Sequence, residues 1–308
     1  MKTALHAHTT RGSYPAAHRS FVLFSLIAAL ALLLSACGAS PAQNATPTAA
    51  DAAPADTTTG DSAAADLIEV KVGASPVPHA DILKFVQDNL ATQAGLKITV
   101  IEFTDYVQPN LALGDGQIDA NFFQHAPYME DFAKEHNLEL VAVAKVHIEP
   151  LGIYSKKVTS LDQVPDKAMV TLPNDATNSG RALRLLEANG LIKLADDAGI
   201  TATVKDIVDN PKQLDFKELE AAQLARSLDD TTLAVINGNY AIDAGLKPNE
   251  DALALEAGKD NPYANVLTVL KGHESDPGIQ KLAELLTSPE VKQYLETTYQ
   301  GSVIPAFE

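Results

Sequence analysis

Two polar residues near the start of one predicted helix could hold a carboxylate. The apolar segment 168–172 predicts a short buried strand that stops at the following proline, and Asp175 is well suited to cap the next helix. Asn178 and Arg181 are three residues apart, so they share one face of that helix, which is predicted to end at Asn189-Gly190. A helix N-terminus favours anions, and a guanidinium can bind both oxygens of a carboxylate. A surface arginine on an ordinary amphipathic helix is an equally good interpretation of these residues alone.

A second group of side chains could enclose an apolar part of a ligand. It comprises Tyr106, Phe123, His125 and Tyr128. Aromatic rings contact aliphatic chains and thioether sulfur favourably, although plain core packing is the simpler interpretation of Tyr106 or Phe123 taken singly. Asn237 and Asn239 follow a predicted strand, and amides such as these and Asn178 can bind ammonium and carboxylate groups without burying a charge.

Equipment for catalysis or metal binding is not visible in the sequence. There is no G-x-S-x-G elbow, Walker loop, G-x-G-x-x-G or H-E-x-x-H motif. Four histidines of the folded part, with Glu149 near one of them, lack the close spacing of a metal site; they are His79, His125, His136 and His147. We therefore expect a protein that is not an enzyme and that has no cofactor or resident metal.

The charge of the chain argues against nucleic-acid binding. The 308 residues carry a formal net charge of −17, with 46% hydrophobic and 20% charged side chains. Residues 1–36 contain three basic and no acidic side chains, which leaves the remainder with 20 basic and 40 acidic groups, a net charge of −20. Nucleic-acid binding requires cationic side chains that neutralise phosphates, so that class is excluded.

The N-terminal region predicts a lipoprotein. A basic segment ends at Arg19, an apolar run covers residues 21–34, and Leu34-Ser35-Ala36-Cys37 follows, which resembles the lipobox of bacterial lipoproteins. We predict a signal peptide at 1–36 and lipid on Cys37, the only cysteine, which would anchor the protein on the outer side of the cell membrane. Residues 37–66, rich in Ala, Thr, Pro, Asp and Ser, predict a flexible tether.

From Leu67 onward strands alternate with helices, which predicts an α/β fold with two mainly parallel sheets flanked by helices. Predicted strands lie at 68–73, 97–103, from 118, and at 138–146, 168–172, 203–208, 233–236 and 266–270; predicted helices lie at 79–94, 105–114, 129–136, 160–164, 175–189, 215–227, 279–286 and 291–299. A loop displaying aromatic and imidazole groups is expected before the helix at 129. Extended runs at 147–155 and 233–245 are candidate crossings between two lobes, one formed by 67–148 with 242–308 and the other by 149–241. Ligands are expected in the cleft between them.

Five motifs in this order carry a resemblance to a known family. They are Phe103-Thr104-Asp105-Tyr106-Val107, the stretch Asn121 to Tyr128, Tyr154-Ser155-Lys156-Lys157, the stretch Pro173 to Arg181, and the stretch Ala234 to Ala241. The chain from Ile68 to its end resembles the methionine-binding lipoproteins of the NlpA/MetQ type, the receptors of methionine ABC importers. The resemblance implies a two-lobed periplasmic-binding-protein fold, type II-like, that closes on its ligand, with an ABC permease and its ATPase as partners.

The resemblance also implies the ligand and the roles of the site residues. L-methionine would lie with its side chain among Tyr106, Phe123, His125 and Tyr128, while Asn178 and Arg181 hold its amino and carboxylate groups. One or both of Asn237 and Asn239 would complete the site. On this basis Arg181→Ala should abolish binding and leave the unliganded protein almost as stable as before. A receptor for another small amino acid or a dipeptide, and a surface adhesin with a vestigial pocket, are the alternatives.

Overall fold

The structure, a computed structural model, describes residues 67–308. The predicted signal peptide, Cys37 and the tether lie outside these residues. Within them, no helix combines the length and the apolar character needed to cross a bilayer.

The N-terminal half of the described chain forms most of the first sheet. Its strands are β1 (Ile68–Ala74), β2 (Leu96–Glu102), β3 (Ala120–His125) and β4 (Leu140–Ile148), and its helices are α1 (Asp81–Val86), α2 (Gln108–Gly114) and α3 (Ala126–His136). Further helical turns flank α1 at Pro76–Ala80 and Gln87–Ala91. Alternation of apolar and polar residues along β1 places Val70 and Val72 in the core, where Ile82, Leu83 and Val86 of α1 cover them.

The second sheet begins immediately after β4. Its strands are β5 (Gly152–Tyr154), β6 (Met169–Pro173), β9 (Asp215–Leu219), β10 (Leu233–Ile236) and β11 (Ala254–Leu255), whereas β7 (Lys193–Leu194) and β8 (Ile207–Asp209) form a separate pair. The helices are α4 (Ala176–Ala188), α5 (Leu224–Ser227), α6 (Gly238–Asp243) and α7 (Pro248–Asp251). A separate core forms here, in which Leu183 and Leu186 of α4 pack with Val170 and Leu172 of β6.

The C-terminal segment returns to the first sheet. It contains β12 (Ala264–Leu270), α8 (Pro277–Leu286), α9 (Pro289–Tyr299) and β13 (Ile304–Pro305). The strand order is β13-β4-β12-β3-β1-β2 in the first sheet and β11-β5-β10-β6-β9 in the second. We call the elements of the first sheet lobe 1 and those of the second sheet lobe 2. The α/β class is confirmed, and the chain crosses between the sheets twice.

Four of the six strands in the first sheet and four of the five in the second run in one direction, so the sheets are mainly parallel as predicted but contain reversed strands. β1, β2 and β3 are parallel, but β12 runs antiparallel to β3 and β4; β6, β9 and β10 are parallel, but β5 runs antiparallel to β10. Two of the reversed strands, β12 and β5, are those that bring the chain into a lobe from the other one. Because such a strand starts at the edge where its neighbours end, it has to run in the opposite direction.

The first crossing lies within its predicted segment, but the second lies further along the chain than predicted. The first lies between Ile148 and Gly152, as the run 147–155 predicts. In the second crossing, Ala254–Leu255 still pairs with β5, so the chain leaves the second sheet only after Leu255 and enters the first at Ala264. The lobe limits at 148 and 241 stay a prediction, but strand pairing alone would put the second crossing after Leu255, because β11 still belongs to the second sheet.

Three predicted elements differ from the structure. The segment 215–227 is not one helix: Asp215–Leu219 is an edge strand paired with β6, and only Leu224–Ser227 is α-helical. The segment 203–208 begins as a helical turn, because Thr203 and Asp206 form a reciprocal capping box, and continues as β8. The predicted helix at 160–164 is a single turn at Leu161–Gln163. Local polarity patterns in short segments were outweighed here by strand pairing and capping.

Candidate functional site

A cavity with an empty volume of about 320 Å³ lies where the carboxyl ends of β3, β4, β6 and β10 converge. This is the usual ligand position in open α/β sheets. Its walls comprise Tyr106, Phe123, Gln124, His125, Tyr128, Glu149, Asn178, Arg181, Asn237, Gly238 and Asn265. Seven of the eight ligand-binding residues expected from the sequence are therefore brought together. Asn239 is the exception.

The N-terminus of α4 is occupied by its own cap. The Asp175 carboxylate accepts hydrogen bonds from the Asn178 backbone N–H (2.9 Å) and the Thr177 hydroxyl (3.1 Å). Burial raises the pKa of Asp175, and the bonds from Asn178 and Thr177 oppose that shift. The prediction that Asp175 caps the helix is confirmed. Since this carboxylate fills the anion-favouring end of the helix, Arg181 is the group on α4 that remains for a ligand carboxylate.

Arg181 is not a surface residue: it is only 3% exposed. Its Nε donates to both carboxylate oxygens of Glu256 (3.0 and 3.1 Å), and its Nη2 donates to the backbone oxygen of Glu149 (2.8 Å) and to Glu256. The ring of Tyr263 lies against the guanidinium, 4.3 Å from its central carbon. The hydrogen bonds of Arg181 within residues 67–308 all come from Nε and Nη2 and none from Nη1, and Arg181 lines the cavity. Nη1 is thus the nitrogen available to an anion.

A chain of polar contacts joins the two lobes across the cavity. The backbone N–H of Tyr128 donates to Nδ1 of His125 (3.1 Å), so the ring proton is on Nε2, which lies 3.1 Å from Oδ1 of Asn178. Burial, aided by the positive charge of Arg181, lowers the pKa of His125 to about 3, so the imidazole is neutral. Asn178 Oδ1 also accepts from Nδ2 of Asn237 (2.8 Å).

This arrangement leaves one amide oxygen without a partner. Asn237 is 4% exposed, and its Oδ1 is buried with no hydrogen bond from the residues that the structure describes. A buried acceptor without a donor costs about 1–3 kcal/mol. Because Asn237 lines the cavity, a donor on a bound ligand would remove that cost.

The opposite wall of the cavity is aromatic. The ring centroids of Tyr106 and Phe123 lie 5.9 Å apart, and those of Tyr106 and Tyr128 lie 5.8 Å apart. Hydrogen bonds hold both tyrosines: the Tyr128 hydroxyl donates to the backbone oxygen of Tyr106 (2.9 Å), and the Tyr106 hydroxyl donates to Oδ1 of Asn239 (2.6 Å). Asn239 therefore supports the wall from outside the cavity. The predicted display loop does not exist, because α3 starts directly after β3 with His125 as its N-cap.

Two buried histidines contact Glu149, the residue that lines the cavity at the first crossing. Oε1 of Glu149 accepts from Nε2 of His147 (2.7 Å) and is 3.3 Å from Nε2 of His79, which also contacts Oδ1 of Asn265 (3.0 Å). Burial lowers the pKa of His79 to about 4 and that of His147 to about 3, and it raises the pKa of Glu149. A metal ion could bind these three residues only by replacing the hydrogen bonds that now join them.

Glu149 also contacts lobe 2. Its Oε2 accepts from the backbone N–H of Asn239 (2.8 Å). Position 238 has to be glycine, because a Cβ there would lie 2.8 Å from Cβ of Glu149. The carboxylate thus links the buried histidines of lobe 1 to the first turn of α6.

Six residues important to the site were not predicted as ligand contacts. Gln124, Glu149, Gly238 and Asn265 line the cavity, and Glu256 and Tyr263 hold Arg181. Glu149 lay within a predicted crossing and could have been proposed on that ground. Glu256 and Tyr263 carried no signal, because they contact Arg181 from more than 70 positions away in the sequence.

Comparison with known proteins identifies the relatives of this chain. A family model described as NlpA lipoprotein matches residues 70–307. The methionine-binding lipoprotein MetQ of Bacillus subtilis is 41% identical over 244 residues, which is 78% of this chain and 89% of that protein. The membrane lipoprotein TpN32 of Treponema pallidum is 42% identical over 238 residues, 77% of this chain and 88% of that one.

A solved structure shows that the similarity extends to the fold. A nutrient binding protein from Burkholderia cenocepacia, bound to methionine, superimposes with a TM-score of 0.75 and 44% identity, covering 77% of this chain and all of that one. Such neighbours confirm the two-lobed fold of periplasmic substrate-binding proteins. The resemblance inferred from the sequence motifs is likewise confirmed, and the chain is a member of the NlpA lipoprotein family.

Proposed function

We propose that this protein binds methionine in the cavity between its lobes. The observation that carries the proposal is one cavity whose lining combines the Arg181 guanidinium and an Asn237 Oδ1 without a donor among residues 67–308 with an aromatic wall. An α-amino acid offers the matching groups: a donor, an anion and an apolar side chain. The methionine-binding relatives support the choice of side chain.

Each wall of the cavity has a distinct role in this proposal. Nη1 of Arg181 binds the α-carboxylate, and Oδ1 of Asn237 accepts from the α-ammonium group. Tyr106, Phe123 and Tyr128 enclose the thioether side chain, with the neutral ring of His125 beside them. Asn178 positions Asn237, and Asn239 positions Tyr106, so neither amide has to contact the ligand directly.

The proposal also assigns this protein a role in transport rather than in catalysis. Lipid on Cys37 would hold the protein on the outer side of the cell membrane, where an ABC permease with its ATPase would accept the closed, loaded form. Ligand selects the closed arrangement because it bonds to both lobes at once. The role is supported by relatives whose names describe them as methionine-binding lipoproteins.

Calorimetric titration of L-methionine tests the proposal. The full chain is purified in detergent, unfolded in guanidinium chloride and refolded so that carried-over ligand is removed. We expect tight binding of one methionine per chain. Binding of another small amino acid or a dipeptide in its place would contradict the aromatic wall as a methionine pocket, and absence of binding to any of them would favour the adhesin alternative.

A further inference from the structure

The guanidinium of Arg181 is held on three sides by residues that no sequence motif pointed to. Glu256 contacts its Nε and Nη2, the backbone oxygen of Glu149 contacts Nη2, and the ring of Tyr263 covers one face. All three residues belong to the segments where the chain crosses between the sheets. Lobe 2 supplies the arginine itself, but the crossing segments determine where the guanidinium points.

Glu256 has the geometry of a positioning residue. Its two carboxylate oxygens take the Nε–Nη2 edge in a bidentate arrangement, which fixes both the plane and the direction of a guanidinium. Occupation of that edge leaves Nη1 as the nitrogen without a partner among residues 67–308. A lysine in place of the arginine could not be divided in this way between a protein carboxylate and a ligand, because its ammonium is a point charge.

Glu256 is itself fixed to the other crossing. Its backbone N–H donates to the backbone oxygen of Leu151 (2.9 Å), and its Oε2 accepts from the backbone N–H of Leu151 (3.3 Å). Leu151 lies between β4 and β5, and Glu256 lies between β11 and β12. The same carboxylate therefore joins both crossings to the arginine.

We propose that Glu256 is a positioning residue for carboxylate recognition: it orients Arg181 so that Nη1 faces the cavity, and it couples that orientation to the two crossing segments. The inference rests on the proposed binding of methionine. Glu256 does not line the cavity, so its effect on a ligand has to pass through Arg181.

The test compares methionine with methioninamide, which has a neutral amide in place of the carboxylate. Two substitutions separate charge from geometry, because Glu256→Gln keeps the length of the side chain and Glu256→Asp keeps the charge while shortening the reach. Glu250→Gln is the matched control, since Glu250 lies nearby in the chain, in α7, but pairs with Lys247 at the surface. Affinities are measured by calorimetric titration and displacement on the full chain in detergent, at up to millimolar ligand.

Both Glu256 variants should bind methionine about tenfold more weakly, a size typical of coupling within one side-chain network. Binding of methioninamide should change less than about twofold, and Glu250→Gln should match the unmodified protein with both ligands. In an Arg181→Ala background, Glu256→Gln should have no further effect on affinity. The melting temperature of each unliganded variant shows whether the fold is retained.

Two results would overturn the inference. One is unchanged or tighter methionine binding in both Glu256 variants, which would mean that Arg181 is oriented without this carboxylate. The other is an equal loss for methionine and methioninamide, which would mean a general structural effect. Failure of the unmodified protein to bind methionine would instead refute the proposed function, so the two failures are distinguishable.

Discussion

The two lobes contribute different chemistry to one cavity. Lobe 1 provides mainly rings, those of Tyr106, Phe123, His125 and Tyr128, of which the imidazole is neutral, beside the amides of Gln124 and Asn265. Lobe 2 provides polar groups, namely the guanidinium of Arg181 and the amides of Asn178 and Asn237. The polar side has to recognise what all amino acids share, and the aromatic side has to recognise what distinguishes one from another. Substitutions of the polar lining in lobe 2 should therefore weaken binding of any amino acid, whereas those of the rings in lobe 1 should mainly change selectivity.

The largest expected effect is that of Arg181→Ala. A ligand carboxylate would then be buried without a countercharge, so methionine binding should weaken more than about 100-fold, which corresponds to about 3 kcal/mol or more. The expectation from sequence that stability would hardly change no longer stands, since the substitution also leaves Glu256 without its partner. The unliganded protein should melt several degrees lower.

Titration calorimetry and thermal melting measure these two effects. Arg184→Ala is the matched control, because Arg184 lies on the same helix but is exposed and contacts only backbone oxygens of residues 198 and 199. Equal affinities of the Arg181 and Arg184 variants for methionine would show that lobe 2 does not recognise the carboxylate.

Acid should destabilise lobe 1 more than lobe 2. His79, His125 and His147 are buried in lobe 1 with pKa values lowered to about 4, 3 and 3. Between those values and pH 6.5 the unfolded chain binds more protons than the folded one, so stability falls as the pH falls. The raised pKa values of Glu149 and Asp175 oppose this trend. We expect a net loss of about 2–4 kcal/mol between neutral pH and about pH 4.5.

Urea unfolding followed by circular dichroism at several pH values measures that loss. Hydrogen exchange should show β3 and β4 opening before β6 and β10 in acid. His125→Gln should reduce the acid dependence by about one proton. A pH-independent free energy of unfolding would show that the buried imidazoles are not kept neutral by the fold.

Asn237 and Asn239 are expected to differ. Asn237→Ala removes the acceptor proposed for the ammonium group and one donor to Asn178, so affinity for methionine should fall by about 1–3 kcal/mol. Asn239→Ala removes a hydrogen bond to Tyr106 outside the cavity and should cost less than about 1 kcal/mol. Parallel titrations of both variants rank them, and a larger loss for Asn239 would reverse their assigned roles.

The smallest expected effect is on selectivity in lobe 1. Phe123→Leu keeps an apolar side chain but removes a ring, so the preference for methionine over norleucine should shrink by up to about 1 kcal/mol, the scale of a sulfur–aromatic contact. Competition titrations measure the ratio of the two affinities. Leu138→Val, in the same apolar cluster but outside the cavity lining, is the control. An unchanged ratio would mean that Phe123 only fills space.

Predictions from the sequence were most successful where interactions between residues close in the chain determine the structure. Asp175 caps α4 as expected, because an N-cap depends on residues within one helical turn. The strands at 68–74 and 233–236 and the two C-terminal helices were also predicted, since their apolar patterns extend over several residues. The helix predicted over 215–227 was wrong because β9 is an edge strand, whose backbone bonds to β6 matter more than its polar side chains.

The sequence by itself determined the α/β class, the family and seven of the residues that line the cavity. Sequence could not determine that Arg181 is buried and divided between Glu256 and a ligand, that Asn237 faces the cavity while Asn239 lies behind it, or that two histidines converge on Glu149. Those contacts join residues far apart in the chain, and their geometry depends on the angle at which the two sheets are joined. Only the tertiary structure decides that angle, because it results from the packing of two separate cores against the crossing segments.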